Sequence, residues 1–224
     1  MRAITPIAHI ESDFKEKFGV PRQSGMVHNI SQITFDAPFR NPDAIKGLEN
    51  FSHIWLIWDF SMSHTTTFNA TVRPPRLGGN SRIGVFASRS PFRPNSIGLS
   101  SVKLIEIDYK SPNAPTLLVE GADLVDGTPI FDIKPYIPYT DCHTDATDGY
   151  TTHTKSYRVT VCFPEELLEK IPPEKRDATI EMLALDPRPS YIEDPTREYG
   201  VTFAGMNIRF TVNEGHLYVK DLSY

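Results

Sequence analysis

Arginine, proline and short hydrogen-bonding side chains are concentrated in one string, GVFASRSPFRPNSIG, at residues 84–98. Arg89 and Arg93 stand four apart among Pro91 and Pro94, with Ser88, Ser90 and Asn95 beside them. Each proline fixes φ, so the guanidinium groups start from a backbone with little freedom left to lose on binding. Gly84 and Gly98 bound the string and permit close backbone approach. Every cation in it is arginine, whose planar fork suits phosphates and base edges better than an ammonium does. Upstream, VRPPRLGGN at 72–80 repeats the recipe with Arg73 and Arg76. A rigid arginine surface of this kind is what a polyanion requires. The plain alternative is that these arginines pair with carboxylates elsewhere in the fold, and the strings alone leave both open. Neither matches a Walker phosphate loop or a G-x-G-x-x-G fingerprint, and Gly78-Gly79 by itself is a turn signal.

The wider charge distribution bears on that choice. No Asp or Glu occurs from Phe60 to Ile105, a window that holds Arg73, Arg76, Arg82, Arg89, Arg93 and Lys103 and so carries +6. The 224-residue chain has a formal charge of −5, which leaves −11 outside the window. An apolar fraction of 39% is enough for a real core and excludes a disordered chain. Two cysteines, Cys142 and Cys162, make neither a disulfide framework nor a C-x-x-C site, so no metal is expected. The start, MRAITPIAHIESDF, has no long apolar stretch of the secretory kind, and Ile54 to Trp58 is far too short to span a bilayer. The expectation is a cytoplasmic protein.

The elements that must position these residues read as mainly β. Short apolar runs at 3–10, 53–60, 83–87, 101–108, 116–120 and 130–133 are separated by Gly, Pro and Asn turns, a spacing that predicts a barrel or sandwich. One helix is predicted at 42–50, with Asn41 as N-cap and Pro42 at its first position. Residues 141–155 read as a polar linker. Beyond it, strict alternation predicts a strand at 156–163, helices at 164–170 and 174–185 flank Pro172-Pro173, and strands around 208–212 and 216–221 form a hairpin over Asn213-Glu214-Gly215. The division expected is a β-barrel at 1–140, the linker, and a small α+β domain at 156–224.

Six stretches carry a resemblance to a known family: KEKFGVPRQSG (15–25), GLENFSHIW (47–55), VRPPRLGGN (72–80), GVFASRSPFRPNSIGLS (84–100), DLVDGTPIFDIKPYIPY (123–139) and LALDPRPSY (183–191). In order and over nearly the whole length, they make the chain resemble the TsaA (TrmO) family of S-adenosylmethionine-dependent tRNA methyltransferases. The resemblance implies a β-barrel rather than a Rossmann donor site. It also implies a homodimer with the donor near the subunit interface, and the anticodon loop of tRNA as partner. The reaction implied is methylation of the exocyclic amine of threonylcarbamoyladenosine next to the anticodon. An inactive tRNA-binding module on the same barrel, or a methyltransferase for another RNA or a small molecule, are the alternatives.

Carried over by position, the implied donor contacts are Gln23, Ser24, Gly25, Phe60, Ser61, Arg89, Leu99, Gly121, Ala122, Asp123 and Leu124. Position 61 departs from the family, which usually has His where this chain has Ser61, and Asp59 is also unusual. His64 is a candidate to supply the missing imidazole. Ser88 and Ser96 stand where relatives commonly read Thr and Pro. Candidates at the reacting centre are Asp126, Asn95 and Arg93, with Asp132 and His53 as further proton acceptors. Arg73, Arg76, Arg93, Asn95, Arg188 and Tyr191 are the RNA candidates, and Phe92 is a possible stacking ring. A sulfonium donor calls for an apolar wall, an aromatic face and a few hydrogen-bonding groups, which this set contains.

Overall fold

The computed structural model describes residues 3–74, 81–189 and 194–224. Its first eight strands are β1 (Ala8–Glu11), β2 (Ile30–Phe35), β3 (His53–Asp59), β4 (Thr71–Val72), β5 (Ile83–Gly84), β6 (Ile97–Asp108), β7 (Thr116–Glu120) and β8 (Pro129–Pro135). Six of them close an antiparallel barrel in the order β1-β2-β7-β6-β3-β8, with β8 returning to β1. β4 and β5 pair as a separate two-stranded arm. The pleat explains the barrel: Ile54, Leu56 and Trp58 of β3 point in, while the residues between them face out. Ile10, Ile33, Val102, Leu117, Val119 and Ile130 complete the interior from the other five strands.

After a short helix α1 (Pro138–Asp141), the second part builds β9 (Thr160–Cys162), α2 (Glu165–Leu168), α3 (Pro173–Ala184), β10 (Tyr199–Phe203), β11 (Met206–Asn213) and β12 (His216–Ser223). Its sheet runs β10-β11-β12-β9, with β9 parallel to β12. The hairpin turn is Glu214-Gly215, both at positive φ, as a tight two-residue connection demands.

Two cores result, and they do not follow the chain in simple order. Phe14 and Val27, with Phe18, Val20 and Met26 against them, pack among Met182, Val201, Phe203 and Phe210 of the second core. The segment between β1 and β2 therefore leaves the barrel and is sandwiched by the C-terminal domain.

The helix predicted at 42–50 is not α-helical. It consists of 3-10 turns at Pro42–Ile45 and Leu48–Asn50, interrupted by Gly47 at φ 91°. Asn41 does cap the first of these, accepting from the Asp43 N–H at 3.0 Å. The run at 83–87 is a strand only as far as Gly84 and then turns at Val85–Ala87.

Candidate active site

Two glycines fix the centre of the site. The Gly25 N–H donates to the Gly121 carbonyl at 2.8 Å, and the Gly121 N–H donates to Asn29 O at 3.0 Å. Both sit at positive φ, and a Cβ on Gly121 would stand 3.2 Å from the Gly25 backbone. Only glycine permits this approach, which sets residues 23–25 alongside 121–124.

The C-terminal domain then holds the 13–28 segment from behind. Arg22 donates to Leu185 O at 2.7 Å, and Lys175 is bonded to Asp13. One Glu181 carboxylate takes both the backbone N–H and the ring Nδ1 of His28, each at 2.7 Å. Gly19 lies so close to Val201 that a Cβ would meet its methyl at 2.5 Å.

A chain of three side chains crosses the barrel to the same place. The Trp58 indole N–H donates to Ser100 Oγ at 3.0 Å, and the Ser100 hydroxyl donates to Asp123 Oδ1 at 2.6 Å. Burial pushes the Asp123 carboxyl up to about 6, against the pull of the Ser100 bond, its own amide and the Arg89 charge. Arg89 in turn donates to Gln23 Oε1. Phe60 packs on Trp58 with ring centroids 4.2 Å apart, and the Trp58 indole lies against Gly98, where a Cβ would come within 2.3 Å. Leu99, 56% exposed, faces outward on β6.

Gln23, Ser24, Gly25, Phe60, Arg89, Gly121 and Asp123 are thus tied to one locality by these contacts. Ala122 and Leu124 are fully buried in the barrel core, so only their backbone is available to a ligand. Ser61 is exposed just beyond β3. His64 Nε2 bonds Asp59 Oδ1 at 2.7 Å, so the imidazole that follows β3 is held on the last residue of that strand.

The candidates for the reacting centre are placed differently. Asp126 accepts from the Ser12 N–H at 2.9 Å and pairs with Lys15 at 2.8 Å. Burial pushes its carboxyl up, but the Lys15 and Ser12 bonds outweigh this and hold it below the usual range. Asp132 pairs with Lys134 at 2.9 Å. His53 begins β3, at the end opposite Asp59, and bonds Ser52. Arg93 donates to the carbonyls of Ser88 at 2.7 Å and Val85 at 3.2 Å, so it shapes its own loop. Asn95 is exposed two residues before β6.

Among the RNA candidates, Arg73 is exposed at the end of β4. Arg188 is held by both oxygens of Asp186, at 2.8 and 3.2 Å, which commits most of its fork. Arg76 and Tyr191 lie outside the described residues. Among the described residues, Arg73, Arg82, Arg89 and Arg93 of the window have no carboxylate within ion-pair distance, and Lys103 pairs with Glu120 at 3.3 Å. Sequence reasoning missed Trp58, Ser100 and the His28–Glu181 bond. Each joins residues far apart in the chain, and no local spacing marks them.

A closed antiparallel barrel, backed by an α+β domain, gathers these loops at one place, and the architecture is not a Rossmann fold. The family comparison agrees in detail. Residues 9–142 match the tRNA-methyltransferase O N-terminal domain and residues 156–224 the TrmO C-terminal domain, and the chain belongs to this family. It is 42% identical over 217 residues to the tRNA (adenine(37)-N6)-methyltransferase of Escherichia coli (strain K12), covering 93% of this chain and 92% of that one. A putative S-adenosylmethionine-dependent methyltransferase RcsF of Pseudomonas aeruginosa is 36% identical, over 93% of this chain and 91% of its own. The crystal structure of TrmO from Pseudomonas aeruginosa superimposes with a TM-score of 0.79 at 30% identity, covering all of both chains.

Proposed function

We propose that this protein transfers the methyl group of S-adenosylmethionine to the N6 amine of adenine 37 in tRNA bearing the threonylcarbamoyl modification. The carrying observation is the convergence of 23–25, 121–124, Arg89 and the Trp58–Ser100–Asp123 chain on one locality. The residues there suit the donor: Phe60, backed by the buried Trp58, gives an apolar and aromatic wall, Asp123 an acceptor for a hydroxyl or amine, and the backbone of 24–25 and 121–124 further hydrogen bonds. Bound S-adenosylmethionine supplies an electrophilic methyl group.

The target nitrogen is a weak nucleophile, because its lone pair is delocalised into the ring and the carbamoyl group. Once alkylated, its proton is strongly acidic and leaves without a strong base. The protein's task is therefore mainly to hold the two partners in line. This fits the placement of Asp126, whose oxygens are committed to Ser12 and Lys15. Arg93 keeps the loop rigid, while Asn95 and Arg73 are exposed to meet the modified base and the RNA backbone. His64, steadied by Asp59, takes the place of the imidazole absent at Ser61.

Leu99 pairs across to Ile57, and Asp59 to Ile97, on the outer face of β3 and β6. Leu99 and Ile97 are exposed there. We read this face as the seam of a homodimer that covers the donor, in a cytoplasmic enzyme acting on tRNA. The test is nucleoside mass spectrometry on tRNA from a strain lacking this chain. Loss of the methylated threonylcarbamoyladenosine peak, restored by the gene, is expected. An unchanged peak would refute the assignment.

A further inference from the structure

Three phenylalanines in the acid-free window are left in solvent: Phe68 is 55%, Phe86 71% and Phe92 50% exposed. Buried aromatic area is among the most stabilising material a fold has, so leaving three such rings out together needs a reason. Two of them form a pair. The rings of Phe68 and Phe86 are nearly parallel, 25° apart in plane, with centroids separated by 6.3 Å. The Arg93 guanidinium lies over the Phe86 ring at 5.7 Å from its centroid.

Local structure holds the pair in place. Val85 is buried, and its N–H donates to Ala70 O at 2.9 Å, which docks the Phe86 turn onto the segment that follows Phe68. The Val85–Ala87 turn is closed by the Ser88 N–H and hydroxyl, both donating to Val85 O, and by Arg93 on the same carbonyl. Three residues on, Arg89 reaches Gln23 in the glycine-locked loop. The exposed rings are thus anchored on a backbone continuous with the candidate donor site.

We propose that Phe68 and Phe86 form a stacking platform for an unpaired nucleobase of the RNA, a neighbour of the base that is methylated. Charge decides the occupant. Arg73, Arg82 and Arg89 lie exposed in the same segment, and no acid occurs from Phe60 to Ile105. An apolar protein partner needs no such field, whereas a single-stranded loop brings π-faces and phosphates together. Stacking accepts any base, so the platform holds the loop open next to the target without reading sequence. This rests on the tRNA reading above.

The test uses an anticodon stem-loop RNA with 2-aminopurine beside the target adenosine, bound to the full-length protein. Stacking quenches this fluorophore. The wild type is expected to quench it, and Phe86→Ala to bind the RNA roughly tenfold more weakly or worse and to leave it bright. Phe86→Trp should restore quenching, while Phe86→Leu, which keeps apolar bulk without a π-face, should not. Donor affinity by calorimetry and oligomeric state by light scattering should stay as in the wild type for all three variants. Equal affinity and quenching in Phe86→Ala would overturn the platform. So would a change of oligomeric state, which would make the patch a contact between copies. Absence of any RNA binding by the wild type would overturn it as well. Methyl transfer by the wild type, measured separately, shows whether the enzymatic reading stands when the platform falls.

Discussion

At Asp123 the proposed donor site and the stability of the fold meet. Its carboxyl titrates near 6 in the folded protein against about 3.9 in an unfolded chain, so the folded state holds the extra proton in between. Its contribution to stability is therefore full below about pH 4 and lost as pH rises through about 6. Denaturation midpoints across that range should show this slope, and Asp123→Asn should remove it. Ionised Asp123 is the better acceptor for the donor, so donor affinity measured by calorimetry should rise through pH 6 in the wild type and stay flat in the variant. Gly98 offers a second test. Trp58 is buried and anchored to Ser100, so it cannot yield to a methyl at 98, and Gly98→Ala should cost about 1–3 kcal/mol in chemical denaturation. The string at 84–98 marks Gly98 as a place of close approach. Nothing in the spacing of Trp58, Ser100 and Asp123 announces that they form one hydrogen-bonded chain, because three different parts of the barrel supply them.

At the level of elements, the 13–28 segment, which carries proposed donor contacts, owes its position to a helix of the other domain. Glu181 of α3 holds both polar groups of His28, and this bond, more than the charge, raises the His28 pKa above 6.5 while slight burial opposes it. The added stability of the link is thus present below about pH 6.5 and lost as pH rises past the raised value. Glu181→Gln should weaken donor binding several-fold at pH 6, with the gap to wild type narrowing by pH 8, as titration calorimetry at the two pH values would show. Equal affinities at pH 6 would remove the clamp from the account. The alternation at 156–163 yields a strand only at Thr160–Cys162, but β11 was legible from its alternation and β3 from its continuous apolar run. β2 is not, because ISQITF turns Ser31, Ile33 and Phe35 inward and leaves Ile30 outside, so its apolar residues break the two-residue period. β10 is obscured by Gly200, which reads as a turn, although its missing side chain makes room for Asn207 across the sheet. At 42–50 the capping signal at Asn41 is real, but Gly47 in the left-handed region prevents a continuous helix.

For the whole molecule, net charge misleads and its distribution informs. In the proposed reading, a chain of −5 meets a polyanion through a +6 window whose described arginines make no ion pair with a carboxylate. Neutralising phosphates releases counterions, so log affinity for tRNA should fall linearly with log salt, and Arg73→Ala or Arg82→Ala should each reduce that slope by about 1. Filter binding over a salt series checks this, and unchanged slopes would place the RNA elsewhere. The window is visible in the sequence; the way the second domain wraps the 13–28 segment is not, since its bonds join residues such as His28 and Glu181 that lie 153 positions apart. The central claim is tested most directly by incubating the purified protein with labelled S-adenosylmethionine and tRNA that carries threonylcarbamoyladenosine at position 37. Label should enter the N6 position of that nucleoside and stay out of tRNA lacking the threonylcarbamoyl group. No transfer to the modified tRNA at any protein concentration would contradict the account.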